Sequence, residues 1–149
     1  MGERDILVEI ARLLAKNKIP YLLTGSFAVS YYGYPRSTHD IDFILEIPKE
    51  SMAEILKVLA ELNKDYDYSV TDIKDAISRA SQFNIFHLES GIKLDFWIAK
   101  NDEFEKGKFV RSKTVRIMKQ RIAVISAEDL ILNKLLWCRE VRSERHMRD

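Results

Sequence analysis

Apolar residues recur along this chain with two alternating periods. Ile6, Leu7, Ile10, Leu13 and Leu14 repeat at helical spacing and predict a helix over residues 3–17, which Pro20 ends. Tyr21-Leu22-Leu23 predicts a short strand, punctuated by Thr24-Gly25-Ser26. Ser26 is a plausible N-cap for a short helix through Tyr32, and Gly33-Tyr34-Pro35 stops it. Asp40-Ile41-Asp42-Phe43-Ile44-Leu45 reads as a strand with acid at one end. Met52, Ile55, Leu56, Leu59 and Leu62 predict a helix over residues 49–63. A short strand near Tyr68–Val70 and a short helix around Ile73–Ala80 follow. Phe83–Leu88 and Ile92–Ile98 predict a hairpin turning at Glu89-Ser90-Gly91. Residues 102–108 suggest a charged loop or short helix. Val115–Met118 and Ile122–Ile125 suggest two short strands around Lys119-Gln120-Arg121. From Ser126 the chain is helical, opened by the capping box Ser126-Ala127-Glu128-Asp129. The pattern predicts one α+β domain over residues 1–149, with a mixed central sheet of four or five strands and helices mainly on one side.

Composition narrows the class. The 149 residues are 46% hydrophobic and 32% charged, an ordinary globular mixture. No apolar run is long enough to suggest a membrane span, and Met1-Gly2-Glu3-Arg4-Asp5 does not read as a secretory signal. The single cysteine, Cys138, excludes an intrachain disulfide, sits in an apolar helical run and fits a packing role. These features predict a cytoplasmic protein. The net charge of +1 hides an asymmetry: residues 111–149 carry ten Lys/Arg against five Asp/Glu. A basic C-terminal third suits a phosphate-rich partner, or simply a solvated helix face.

The chemistry gathers in three features taken in chain order: Gly25-Ser26 between strand and helix, Asp40-x-Asp42 on the next strand, and Asp95 within the hairpin. Strand side chains alternate faces, so Asp40 and Asp42 point one way while Ile41, Phe43 and Leu45 point the other. On the later strand Leu94, Phe96 and Ile98 share the core face and Asp95 takes the opposite one. If the two strands are neighbours, three carboxylates converge. Their mutual repulsion would be relieved by divalent cations, which can also clamp an in-line phosphoryl displacement. Gly25 permits close backbone approach to a phosphate beside a helix N-terminus, and Ser26 can add a hydroxyl. Each residue has a plainer reading. Asp40 could be a turn cap, Asp42 a surface residue, and Asp95 a partner of Lys93. Lys134 could lie along a helix surface, and Tyr31, Tyr32 and Tyr34 could pack the short helix. His39, His87 and His146 lack zinc-ligand spacing.

Leu23-Thr24-Gly25-Ser26 through Arg36-Ser37-Thr38-His39-Asp40-Ile41-Asp42 resembles the signature of the nucleotidyltransferase superfamily, which includes DNA polymerase beta and the aminoglycoside nucleotidyltransferases. Arg-Ser-Thr-x-Asp-Ile-Asp is most similar to the AbiEii-like branch. Residues 126–135 and 142–149 resemble it too. The resemblance implies the nucleotidyltransferase fold. It also implies transfer of a nucleoside monophosphate from a nucleoside triphosphate to an acceptor hydroxyl, with Mg²⁺ or Mn²⁺. Asp40 and Asp42 would hold metal. Asp95 would complete the second site and help activate the acceptor. Gly25, Ser26, Arg36 and Lys134 would contact nucleotide phosphates, and Asp149 matches a late acid of less settled role. The implied acceptors are RNA, such as a tRNA end, or a protein side chain in a toxin–antitoxin setting; a small molecule is a third option. The rival reading is a non-catalytic nucleotide- or partner-binding module on the same fold.

Overall fold

A computed structural model describes residues 2–25, 28 and 40–148, with side chains described to Arg139 except Trp137. Helix α1 (Glu3–Lys16) buries Ile6, Leu7, Ile10, Ala11 and Leu14 on one face, as its spacing requires. Asp5 closes its N-terminus by accepting from the Gly2 N–H at 2.9 Å. Strand β1 (Tyr21–Thr24) follows and is buried throughout. Strand β2 (Asp40–Leu45) carries the acid pair at its start.

A 3₁₀ turn (Lys49–Ser51) leads into α2 (Met52–Leu59), so the helix expected over residues 49–63 is shorter at both ends. The expected strand near Tyr68–Val70 is displaced. The strand is the two-residue β3 (Tyr66–Asp67), and Val70 already belongs to α3 (Val70–Arg79). The reason is the cap: Ser69 Oγ accepts from the Asp72 N–H at 3.2 Å and starts the helix there. Ala80, at φ 52°, ends α3 in the left-handed region.

Strands β4 (Gln82–His87) and β5 (Lys93–Ile98) form the expected hairpin. Its turn is held by His87 Nδ1 and Ser90 Oγ at 2.7 Å, with Gly91 at φ +73°. The charged segment after it is helix α4 (Glu103–Val110), capped by Asp102, whose Oδ1 accepts from the Glu105 N–H at 2.8 Å. Strands β6 (Lys113–Ile117) and β7 (Gln120–Val124) form a second hairpin. Helix α5 (Ala127–Arg148) closes the described chain. Ser126 caps it by accepting from the Asp129 N–H at 3.1 Å.

The sheet has seven strands in the order β3-β4-β5-β2-β1-β7-β6, rather than four or five. The excess lies at the margins, in the two-residue β3 and the short β6–β7 hairpin. The sheet is mixed: β1–β2 is antiparallel, whereas β2–β5 and β1–β7 are parallel. One face of the β4–β5–β2 region is apolar and buried. There Phe83, Phe96 and Phe43 stack at successive centroid distances of 5.0 and 5.5 Å, and Tyr21 meets Phe43 edge-on at 5.8 Å. Full burial of these side chains contributes roughly 1.5–3 kcal/mol each. The packing fixes which residues of β2 and β5 must face the other way. On that second face Gln82, Phe86 and Trp97 are exposed.

Candidate active site

The parallel register of β2 and β5 builds the site. Asp40 lies opposite Lys93, and Asp42 lies opposite Asp95. On the other side of β2, Thr24 lies opposite Asp42, and on the other side of β5, Asn84 lies opposite Asp95. Register partners share a face, so Asn84, Asp95, Asp42 and Thr24 form one polar row across four strands. The alternation expected from the sequence holds: Ile41, Phe43, Leu94 and Phe96 are all buried in the core.

The row lies at the edge of the protein's dry interior. Asp95 is 8% exposed, yet it is ionisable. Burial raises its pKa, Asp40 raises it further, and Lys93 opposes both. Lys93 Nζ sits 3.6 Å from Asp95 Oδ1, an ion pair too long to satisfy that buried oxygen by a hydrogen bond. The Lys93 pairing expected as an alternative for Asp95 is therefore present, and it coexists with the carboxylate cluster. Asp42 is pushed up to about 6, first by burial, then by the negative charges of Asp95 and Asp40, against a hydrogen bond from Trp97. Trp97 Nε1 donates to Asp42 Oδ1 at 3.5 Å.

Gly25 closes the row. Its φ of +71° lies in the left-handed region, and a Cβ there would come within 2.7 Å of the Asp42 carboxyl carbon. The turn after β1 thus runs against the Asp42 carboxylate, and only glycine fits.

The chemical character of this set fits a divalent cation with oxygen ligands. Asp95 and Asp40 raise the proton affinity of Asp42, Asp40 raises that of Asp95, and one buried carboxylate oxygen has no hydrogen-bond partner. The side chains are not pre-closed into a cage: among the described residues no three His, Cys, Asp or Glu side chains stand in metal-holding geometry. In this arrangement Asp95 is turned to Lys93 and Asp42 to Trp97.

The remaining expected site residues divide. Ser26 and Arg36 lie outside the described residues, as do His39, the tyrosines at 31, 32 and 34, and Asp149. Lys134 is exposed on α5, and no contact among the described residues ties it to the carboxylate row. Trp97, Thr24 and Asn84 were not anticipated. Trp97 lies two residues beyond Asp95 on the same strand face, which is the signal that could have found it.

Comparison with known proteins identifies the family and the fold. The family model described as "Nucleotidyl transferase AbiEii toxin, Type IV TA system" matches residues 5–149. A protein of Thermotoga maritima assigned as a nucleotidyltransferase is similar in structure, with a TM-score of 0.66 at 20% identity, covering 97% of this chain and 89% of that one. The lincosamide antibiotic adenylyltransferase LnuA, solved with lincomycin, gives 0.59 at 16% identity, covering 89% of this chain and 85% of that one. ANT(2")-Ia, solved with adenylyl-2"-tobramycin, gives 0.57 at 15% identity, covering 94% and 78%. At these identities the likeness shows the shared fold. No curated protein sequence matches significantly. No described helix is long and apolar enough to cross a membrane. With an α+β nucleotidyltransferase fold and a family match over nearly its whole length, the chain belongs to the AbiEii family of nucleotidyltransferase toxins of type IV toxin–antitoxin systems.

Proposed function

We propose that this chain transfers a nucleoside monophosphate from a nucleoside triphosphate to a hydroxyl on a cellular macromolecule, with its chemistry at Asp40, Asp42 and Asp95. The observation that carries the reading is the register pair Asp42–Asp95, with Asp40 one step along the strand and the Gly25 turn against it. Asp40 and Asp42 would hold Mg²⁺ or Mn²⁺, and Asp95 would complete a second position. When bound, the metal supplies charge neutralisation for the triphosphate and the leaving pyrophosphate.

This chain's own residues account for the rest. The Gly25 turn brings backbone up to the Asp42 carboxylate, leaving a surface where phosphate oxygens can approach closely. Ser26, Arg36 and Lys134 are proposed to add contacts to the triphosphate. The acceptor oxygen attacks the α-phosphorus, the α–β phosphoanhydride bond breaks, and pyrophosphate leaves. Asp95, with a pKa raised by burial, is suited to take the acceptor's proton. Lys93 opposes the effect of burial and so favours the ionised form of Asp95. The remaining rate gain comes from holding acceptor and triphosphate in line.

The acceptor we propose is RNA, with a tRNA end as the leading form, because the C-terminal third carries net positive charge. A protein hydroxyl is the other option for a toxin. A cognate antitoxin would restrain the activity. The test offers labelled nucleoside triphosphates, Mg²⁺, total RNA and total protein to wild type and to Asp40→Asn. Label on RNA with wild type alone supports the reading. Label on protein redirects the acceptor, and no label with either favours a nucleotide-binding module.

A further inference from the structure

Trp97 is an anomaly if judged by packing alone. It is 45% exposed on the second face of the sheet, while the core positions of its own strand are filled by Leu94, Phe96 and Ile98. Its indole does have one directed contact, Nε1 to Asp42 Oδ1 at 3.5 Å. The β2–β5 register explains how it gets there. Trp97 faces Ile44, one same-face step beyond the Asp42–Asp95 pair. The bulk of the indole spans that step.

The Asp42 carboxylate needs such a partner. Rotation about the last bond of an aspartate is broad, with no sharp staggered wells to hold it. Gly25 bounds one side of this carboxylate, since a Cβ there would overlap its carbon. A bare glycine bounds it sterically without gripping it. The indole N–H can only donate, so it engages Asp42 through an acceptor oxygen and never competes for the cation.

We infer that Trp97 is a positioning residue, which fixes the rotation of the Asp42 carboxylate for cation binding. The inference rests on the reading of Asp42 as a metal-holding residue. Partners of this kind around a ligand typically contribute about 10–100-fold to metal affinity or activity.

The experiment measures Mn²⁺ affinity by electron paramagnetic resonance, without nucleotide, for wild type, Trp97→Phe, Trp97→Ala and Asp42→Asn. Trp97→Phe keeps an aromatic ring and removes the donor. The expected result is Mn²⁺ affinity lower by about tenfold in both Trp97 variants. Their nucleotidyl transfer should recover at saturating Mn²⁺. Wild-type affinity in Trp97→Phe overturns the inference, and so does a loss confined to Trp97→Ala, because the ring rather than the N–H would then matter. Thermal unfolding in chelator reports whether each variant is folded, and a folded Trp97→Ala alone suffices to refute if its affinity is unchanged. Asp42→Asn separates the two levels: undiminished Mn²⁺ binding there sinks the metal reading itself, whatever Trp97 does.

Discussion

Replacing Asp42 by asparagine should stabilise this protein in the absence of metal. The ionised carboxylate works against burial, against Asp95 and against Asp40, which together raise its pKa from 3.8 to about 6. A gap of that size corresponds to about 3 kcal/mol at most when the group is fully ionised. The carboxylate is partly exposed, so solvent screening lowers the useful figure to about 1–3 kcal/mol. Asparagine has nearly the same shape. Its Oδ1 can still accept from Trp97, and its amide can donate to Asp95. For a chain of this size the thermal midpoint should rise by roughly 3–10 °C. The pH dependence gives the sharper check. A carboxyl with a raised folded-state pKa stabilises the fold fully below its unfolded value, and that contribution is lost as pH rises through the folded value. The advantage of the variant should therefore be small near pH 4, grow between about pH 4 and 6, and be complete by about pH 7.5. Urea unfolding in EDTA at several pH values measures it. A variant no more stable than wild type at pH 7.5, or a difference that ignores pH, would refute the electrostatic account of this row. Adding Mn²⁺ should reverse the order, because wild type then gains ligand stabilisation that the variant lacks.

Other outcomes follow from the same geometry. Gly25→Ala should abolish transfer while leaving a folded protein, since its Cβ meets the Asp42 carboxylate and its φ is disfavoured at a cost of about 1–3 kcal/mol; circular dichroism with an activity assay tests both parts. Arg111→Ala should lower the midpoint of urea unfolding, because it removes the two-pronged partner of Asp129, which is 1% exposed and accepts from Arg111 Nε and Nη2 at 2.9 Å each, leaving it the Ser126 hydroxyl at 3.1 Å. The Asp129 pKa is lowered, first by Arg111, so this pair's contribution is present above the ordinary carboxylate range and fades on acidification through the folded value. Lys134→Ala should raise the KM for nucleoside triphosphate while sparing Mn²⁺ binding; unchanged kinetics would remove Lys134 from the phosphate contacts.

Much of this architecture could be read from local pattern. Alternation placed Asp40 and Asp42 on one face of β2 and Asp95 on the polar face of β5, because burial of Ile41, Phe43, Leu94 and Phe96 dictates it. The capping serine at 126 and the hairpin at Glu89-Ser90-Gly91 were equally local. The pairing of Asp42 with Asp95 is not local: α2, β3, α3 and β4 intervene, and no periodicity fixes a parallel register across them. Trp97 escaped for the same reason, since its partner is on another strand. The Arg111–Asp129 pair spans 18 positions and two strands. The strand β3 is too short for any period to show, and Ser69 drew the following helix forward over the residues expected to be extended.

The tight fit at Gly25 also has a genetic consequence. Every missense change reachable from a glycine codon by one base installs a side chain, and here any side chain collides with Asp42. Cells selected for survival of this toxin should accumulate lesions at this codon, and the mutant proteins should remain abundant and folded. A single backbone position would thus serve as an off-switch that leaves the fold in place.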